Sequence, residues 1–380
     1  MMSDLTVTVI VGPGLRADPD LLRETAEAEF PQLGVVGRVE IAADAAAVAA
    51  SLEQIPGALV VLPGDDPATR ELLISDGPHA ARTVWYDLTR TGPVPVAGDA
   101  VHLYGRGVWG LCWAIRHAVH RLRRPARRFR YGPDPEQWAE LRLPRPRPGG
   151  DPPPVAVLLH GGFWRSQWAA DLMDALAIDL ADRGYAAWNL EYRRPDQHGW
   201  AATAADVAAG IAALSALPEF PDRPDRLDLD RVAVLGHSAG GQLALRAAAD
   251  SATDGPVRVA VAVSLAGVVD LVEAQRRWLG TGAVAAALGG TPEQVPAQYA
   301  AADPAARLPL RVPQLIVQGR QDDPDLVDLN RRYAESARSA GDRVTVLESA
   351  GDHFSVIDPA APIWHTTFAR LAEQLEVKSQ

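Results

Sequence analysis

The sequence predicts an α/β protein built as two parallel-sheet units in tandem. Three observations carry this. From residue 5 to the C-terminus, short runs of β-branched and aliphatic residues alternate with Ala- and Leu-rich stretches of helical length. That alternation belongs to a parallel sheet covered on both faces. The alternation breaks once, in the arginine-rich, Pro125-punctuated stretch near residues 124–132, which places a domain boundary there. In the second half, the apolar run Val232 to Leu235 enters Gly236-His237-Ser238-Ala239-Gly240 directly, and a helix-forming stretch follows from Gln242 to Ala249.

Composition narrows the class. The 380 residues, 47% apolar and 22% charged, are those of an ordinary globular protein of one to three domains. A net charge of -11 argues against nucleic acid as a partner. Cys112 is the single cysteine, so no intrachain disulfide can form. The opening Met1-Met2-Ser3-Asp4 has no basic n-region and no long apolar run, so no signal peptide is expected. No stretch reaches the ~18 uninterrupted apolar residues of a membrane span. A cytoplasmic protein without a membrane partner is the expectation. No Cys/His cluster has metal-ligand spacing, so neither metal nor cofactor is expected.

Residues 1–126 form the first expected unit. Strands are predicted at Leu5 to Val11, Val35 to Ile41, Ala58 to Leu62, Thr83 to Leu88 and Ala100 to Leu103. Helices are predicted at Asp20 to Glu29, Asp44 to Gln54 and Gly107 to Leu122. Three glycine-bearing segments end its strands: Val11-Gly12-Pro13-Gly14, Leu62-Pro63-Gly64 and Gly105-Arg106-Gly107-Val108-Trp109-Gly110. On these segments the unit resembles type II 3-dehydroquinate dehydratase, which implies a flavodoxin-like fold. The chemistry of that family is not matched. Its tyrosine base belongs on a lid after the first strand, and no tyrosine lies between Gly14 and Phe30. Leu62 stands where the family has asparagine before Pro-Gly, and Tyr86-Asp87-Leu88-Thr89-Arg90 lacks its histidine. Without a base to take the proton, dehydration has no route. The unit is therefore expected to be catalytically silent. Oligomerisation, covering the neighbouring active site or binding a small acid remain as its roles; a homo-oligomer follows by analogy with the family's assemblies.

Arg116, Arg121, Arg123, Arg124, Arg127, Arg128 and Arg130 crowd the junction. Cations at a helix C-terminus complement its dipole, and the rest read as a solvated linker rather than a nucleic-acid patch. Arg145-Pro146-Arg147-Pro148-Gly149-Gly150-Asp151-Pro152-Pro153-Pro154 reads as a surface connection.

Residues 127–380 form the second unit. Its strands are expected at Trp138 to Leu143 (the first), Val155 to Leu159, Tyr185 to Leu190, Val232 to Leu235, Arg258 to Leu265, Gln314 to Val317 and Arg343 to Leu347. Helices are expected at Asp171 to Arg183, Thr203 to Leu217, after Ser238, loosely over Leu271 to Pro296, and at Pro362 to Leu375.

The chemistry converges at strand ends. Gly236 to Gly240 is a G-x-S-x-G turn between strand and helix, the context that lifts a serine Oγ above a sheet. The glycines are needed because only a missing Cβ lets strand and helix come so close. Ser238 is thus the candidate nucleophile. The strand ending at Leu159 runs into His160-Gly161-Gly162-Phe163-Trp164, where α/β-hydrolases carry an H-G-G-x motif that turns backbone amides toward the substrate carbonyl. The expected oxyanion donors are the N–H groups of Gly162, Phe163 and Ala239, each worth ~3 kcal/mol of transition-state stabilisation. Ser, acid, His is the chain order of that fold. His353, in Asp352-His353-Phe354 after the last strand, is the expected base. Asp322, three residues after Gly319, is the expected acid, with Asp323 and Asp325 as fallbacks.

On these motifs, residues 131–376 resemble the kynurenine formamidase-like and carboxylesterase-like α/β-hydrolases. The resemblance implies a serine hydrolase of ester or N-formyl amide bonds of small substrates, aromatic or acyl. Acyl transfer, peptidase activity and a non-catalytic scaffold are the competing readings. Trp164 is expected to line the pocket, with His160 also at the substrate. Trp188 is expected in the core, Trp168, Trp200 and Trp278 in either place, and His198 and His237 receive no role.

Overall fold

The computed structural model describes residues 5–146, 151–218, 227–251 and 255–376. The expected surface connection at 145–154 and the opening residues 1–4 lie partly or wholly outside them. The chain divides into two compact units, Met1–Pro125 and Ala126–Gln380.

The first unit runs β1 (Thr6–Val11), α1 (Pro19–Leu33), β2 (Val36–Ile41), α2 (Ala45–Gln54), β3 (Ala58–Leu62), α3 (Pro67–Glu71), β4 (Thr83–Asp87), β5 (Val101–Tyr104) and α4 (Gly110–Arg123). All five strands are parallel, in the order β2-β1-β3-β4-β5. That is the flavodoxin-like order. β3, the central strand, is buried along its whole length, as two covered faces require. Val7, Val9 and Val11 face Leu111, Ile115 and Val119 of α4 in one core layer; Ile10, Leu59 and Val61 face Val48 and Leu52 of α2 in the other. The short α3 is unexpected, and two other helices differ in extent. α1 continues through Pro31 and stops only at Gly34, whose left-handed φ of 58° closes it. α4 starts three residues late, because Gly107 is left-handed (φ 62°) and cannot lie in a helix.

The second unit runs β6 (Arg127–Arg130), β7 (Trp138–Arg142), β8 (Pro154–Leu159), α5 (Asp174–Asp182), β9 (Ala186–Leu190), α6 (Pro195–His198), α7 (Trp200–Ala212), β10 (Asp228–His237), α8 (Ala239–Asp250) and β11 (Val259–Leu265). It continues with α9 (Leu271–Arg276), α10 (Ala283–Leu288), α11 (Pro296–Ala302), β12 (Gln314–Gly319), α12 (Pro324–Ser339), β13 (Val344–Ser349) and α13 (Pro362–Glu376). The sheet order is β13-β12-β11-β10-β8-β9-β7-β6, with β7 antiparallel to both neighbours and the other pairs parallel. This mixed sheet wrapped by helices is an α/β-hydrolase fold.

Two corrections follow. Trp138 does not begin the unit's first strand. β6, inside the segment read as a solvated arginine linker, pairs with β7 through Arg127 opposite Leu141 and Phe129 opposite Ala139. Its arginines suit a sheet edge, where three of four residues face solvent. The second correction is α12, a 16-residue helix where none was expected. Parallel β12 and β13 need such a crossover.

Register levels the strand ends. Leu159 of β8 sits opposite Gly236 of β10, and Gly319 of β12 opposite Ser349 of β13. The turns after β8 and β10 therefore leave the sheet side by side, and so do those after β12 and β13.

Candidate active site

Ser238 lies between β10 and α8 in a strained conformation, φ 54° and ψ -118°. A non-glycine residue keeps such angles only when its surroundings fix them. Three hydrogen bonds do so: Ser238 N–H to the Leu265 carbonyl (2.9 Å), and Gly241 N–H (2.9 Å) and Val268 N–H (3.2 Å) to the Ser238 carbonyl. The flanking glycines are obligatory. A Cβ at Gly236 would lie 1.8 Å from the Gly240 carbonyl oxygen, and one at Gly240 would lie 2.1 Å from that of Leu159.

The turn after β8 rests on this elbow. A Cβ on Gly161 would fall 2.9 Å from Ser238 Cβ. Gly162, Phe163 and Trp164 all have positive φ (112°, 52° and 55°). Two consecutive non-glycine residues in that region turn the backbone sharply. Among the described residues, the N–H groups of Gly162 and Phe163 have no hydrogen-bond acceptor within the protein. Ala239 opens α8, where N–H groups lack intrahelical partners and negative charge is favoured.

A buried network holds this turn from behind. His160 Nδ1 is 2.8 Å from the Gly161 carbonyl oxygen, and its Nε2 is 3.2 Å from Glu191 Oε1. Its ring stacks on Tyr192 at 4.4 Å, and Tyr192 Oη donates to the His160 carbonyl at 2.8 Å. Glu191 also accepts from Ala170 N–H (2.9 Å) and Tyr192 N–H (3.0 Å), and pairs with Arg194. Burial alone would raise the Glu191 carboxyl, but Arg194 and His160 outweigh it and hold it well below the carboxylate range.

The remaining two residues meet across neighbouring loops. His353 Nδ1 donates to Asp322 Oδ2 at 2.9 Å. Asp322 also accepts from Gln318 Nε2 (2.8 Å) and Asp323 N–H (2.7 Å). Burial would raise this carboxyl, but the hydrogen bonds from His353 and Gln318 lower it below its ordinary value. Ionised, it can hold the ring in one orientation and one tautomer. The loops touch because Gly319 has no side chain: a Cβ there would lie 2.3 Å from the Gly351 carbonyl oxygen. Asp352 ties the histidine loop from within, accepting from Phe354 N–H, Ser355 N–H and Ser355 Oγ.

Asp323 and Asp325 are engaged elsewhere. Asp323 caps α12 through Asp325 N–H, and Asp325 pairs with Arg277 at 2.9 Å. Two expectations need correction. Trp164 is in the core, 2% exposed, with its indole N–H on Gln242 Oε1 (3.1 Å) and Trp200 against it edge-on. His160, 1% exposed, is held through both ring nitrogens by the chain and supports the turn rather than facing substrate. Trp188 and Trp200 are buried, while Trp278 is largely exposed. Sequence spacing also missed Asp134, Glu136 and His198, whose ligand atoms converge within 4.8 Å. Glu136 already pairs with Arg194 and His198 there, so the chain supplies its own cation.

Comparison with known proteins agrees with this architecture. The BD-FAE family model matches residues 141–331, half of the chain, a span that holds the turn after β8, Ser238 and Asp322 and stops short of His353. Esterase LipC of Mycobacterium tuberculosis is 31% identical over 135 residues, 35% of this chain and 31% of that protein, so the match spans about a third of the relative's length. Esterase B from Lactobacillus rhamnosis superposes over 66% of this chain and 85% of its own, with a TM-score of 0.56 at 19% identity. A bacterial heroin esterase does so over 66% and 83%, with a TM-score of 0.53 at 21% identity. At such identities these structures share the fold. By the match over 141–331, on an α/β-hydrolase scaffold, the chain belongs to the BD-FAE family.

Proposed function

We propose that the chain is a serine hydrolase that cleaves carboxylic esters of small substrates through an acyl-enzyme on Ser238. The observation that carries this is the 2.9 Å bond from His353 Nδ1 to the buried Asp322, in the loops beside the strained Ser238 turn. With Nδ1 committed to the carboxylate, Nε2 is the nitrogen left to act on a hydroxyl. Ser238 Oγ adds to the carbonyl carbon as His353 Nε2 takes its proton. The Asp322 carboxylate stabilises the imidazolium. The negative oxygen is received by the N–H groups of Gly162, Phe163 and Ala239. Collapse breaks the bond to the alcohol, which leaves with the proton from His353. Water, deprotonated by His353, then attacks the acyl group and releases the acid, restoring Ser238.

The esterase name of the Mycobacterium tuberculosis relative favours esters over amides. An arylformamidase acting on N-formyl aryl amines would use the same steps. The first unit keeps its place in this reading as a silent, dehydroquinase-like domain. Its buried carboxylate Asp87 is spent on Arg70 (2.9 Å) and His102 (2.8 Å).

The test is turnover of p-nitrophenyl esters and N-formyl aryl amines by wild type and Ser238→Ala. Ser238-dependent ester turnover above that of the formamides is expected. A folded Ser238→Ala protein that keeps full turnover refutes the mechanism, and faster formamide turnover replaces esterase by formamidase. Added alcohols that divert the acyl group from water would instead make it an acyltransferase.

A further inference from the structure

His237, the residue before the nucleophile, takes no part in the steps above, yet its ring lies against both the base loop and the turn after β8. It is fully buried. Its Nε2 lies 2.9 Å from the backbone carbonyl oxygen of His353. A carbonyl only accepts, so Nε2 carries the proton and Nδ1 presents a lone pair. Nδ1 has no hydrogen-bond partner among the described residues. It faces the turn after β8, where a Cβ on Gly161 would lie 3.0 Å from it. The ring also packs on those of His353 and Phe354, with centroids at 4.7 and 5.6 Å. Burial, with His353 nearby, pushes the imidazole down to about 3, so it stays neutral and keeps this one-donor form at any working pH.

We propose that His237 is a positioning residue: by holding the His353 backbone carbonyl on one edge and meeting Gly161 on the other, it fixes the base loop and the oxyanion turn at one distance from Ser238. The inference rests on the serine-hydrolase reading. It gives the buried ring a task, since an apolar side chain would fill the same space without an orphaned nitrogen. Asp322 fixes the orientation of the His353 ring, whereas His237 fixes where the backbone of that residue stands. A displacement of about 1 Å at a reacting group can cost about 100-fold in rate.

The experiment compares His237→Phe, His237→Met and His237→Gln in the full chain. Phe and Met fill the space without a donor, and the Gln side-chain amide can reach the His353 carbonyl as Nε2 does. Each is measured by thermal melting, by kcat and KM on p-nitrophenyl acetate, and by the rate of fluorophosphonate labelling at Ser238. The expected result is a fall in kcat and labelling rate of about 30- to 100-fold in the donor-less variants, with KM within about threefold and His237→Gln within about fivefold of wild type. A folded donor-less variant within threefold of wild type overturns the proposal. So does a folded His237→Gln no better than Phe or Met, or a loss confined to KM. If both donor-less variants fail to fold, the ring is a packing element and the proposal falls. A wild type that neither labels nor turns over brings down both readings together, whereas a wild type that does both leaves the variants to judge His237 alone.

Discussion

Replacing Asp322 by Asn changes one atom's chemistry and almost none of its volume. Two donors converge on Oδ2, His353 Nδ1 at 2.9 Å and Gln318 Nε2 at 2.8 Å, while Oδ1 accepts from Asp323 N–H at 2.7 Å. An Asn that keeps Oδ1 on Asp323 puts an NH2 group where Oδ2 stood, facing both donors. On the glutamine side relief means turning the Gln318 amide so that its unpartnered Oε1 meets the new donor, at the loss of the 3.2 Å bond from its Nε2 to the Gly319 carbonyl. On the histidine side relief requires the other tautomer, with Nδ1 accepting and the proton on Nε2. That ring cannot take a proton from Ser238. The same change in a Ser-His-Asp site lowers kcat about 10⁴-fold, about 5.5 kcal/mol in barrier. His353 has 24% of its side chain exposed, so water can solvate the imidazolium in part. The expected loss in kcat is accordingly about 10³- to 10⁴-fold, or about 4–5.5 kcal/mol, with KM little changed. Stability should fall by only about 1–2 kcal/mol, because the amide still fills the space and keeps two of its partners. The assay is steady-state hydrolysis of p-nitrophenyl acetate beside a urea melt. A folded Asp322→Asn protein with kcat within tenfold of wild type refutes the reasoning.

Other outcomes test the scaffold. Gly236→Ala puts a methyl group 1.8 Å from a backbone oxygen that cannot move aside, and should cost about 3 kcal/mol or more; a wild-type urea midpoint would contradict it. Asp87 is held at about 2: burial raises it, but hydrogen bonds from His102 and Arg70 prevail. Its folded value lies below the unfolded value of about 3.9, so its contribution of about 2 kcal/mol is complete above about pH 4 and fades as pH falls toward 2. The gap in urea midpoint between wild type and Asp87→Asn should therefore be wide at pH 7 and narrow at pH 3, and a gap independent of pH would contradict the assignment. Burial pushes the Cys112 thiol up to about 11. It should resist a disulfide reagent at pH 8 until the chain unfolds, and rapid reaction of the native protein would show that the first core opens readily.

Much of this site could be read from the sequence because its chemistry is tied to local backbone. Gly236, Gly240, Gly161 and Gly319 each lie within a few residues of the group they serve, and although the atoms that exclude a side chain there include those of Leu159, Ser238 and Gly351, far off in the chain, such positions leave a pattern. Alternation made the strands and helices legible, whereas the order of the strands within each sheet is seen only in the fold. What stayed hidden depends on contacts distant in the chain. His160 and Trp164 flank the oxyanion glycines, so sequence alone sets them at the substrate; their partners Glu191, Tyr192 and Gln242, 31 to 78 residues away, draw them inward. His237 occupies a variable position of its motif, and its partner is 116 residues on. β6 was obscured by its own composition, since four residues with three arginines look like a linker until β7 pairs with them. α12 is different: Asp323-Pro324 is a helix start, and Leu326, Leu329, Asn330, Tyr333 and Ala337 recur at helical spacing along its buried side. That signal stands in the sequence directly after the aspartates that compete for the place of the acid.

The proposed nucleophile and its proposed base stand on strands of unequal security. Ser238 follows β10, flanked on both sides by neighbours, whereas His353 follows β13 at the sheet's outer edge, none of whose residues is fully buried. Edge strands open at lower free energy than central ones. Heated gently, the molecule should therefore fail in sequence: the outermost strand peels away with the base, and catalysis stops while the elbow beneath Ser238 is still folded. Lost activity in a stored sample would then report a frayed margin rather than a collapsed protein, and cooling would bring it back.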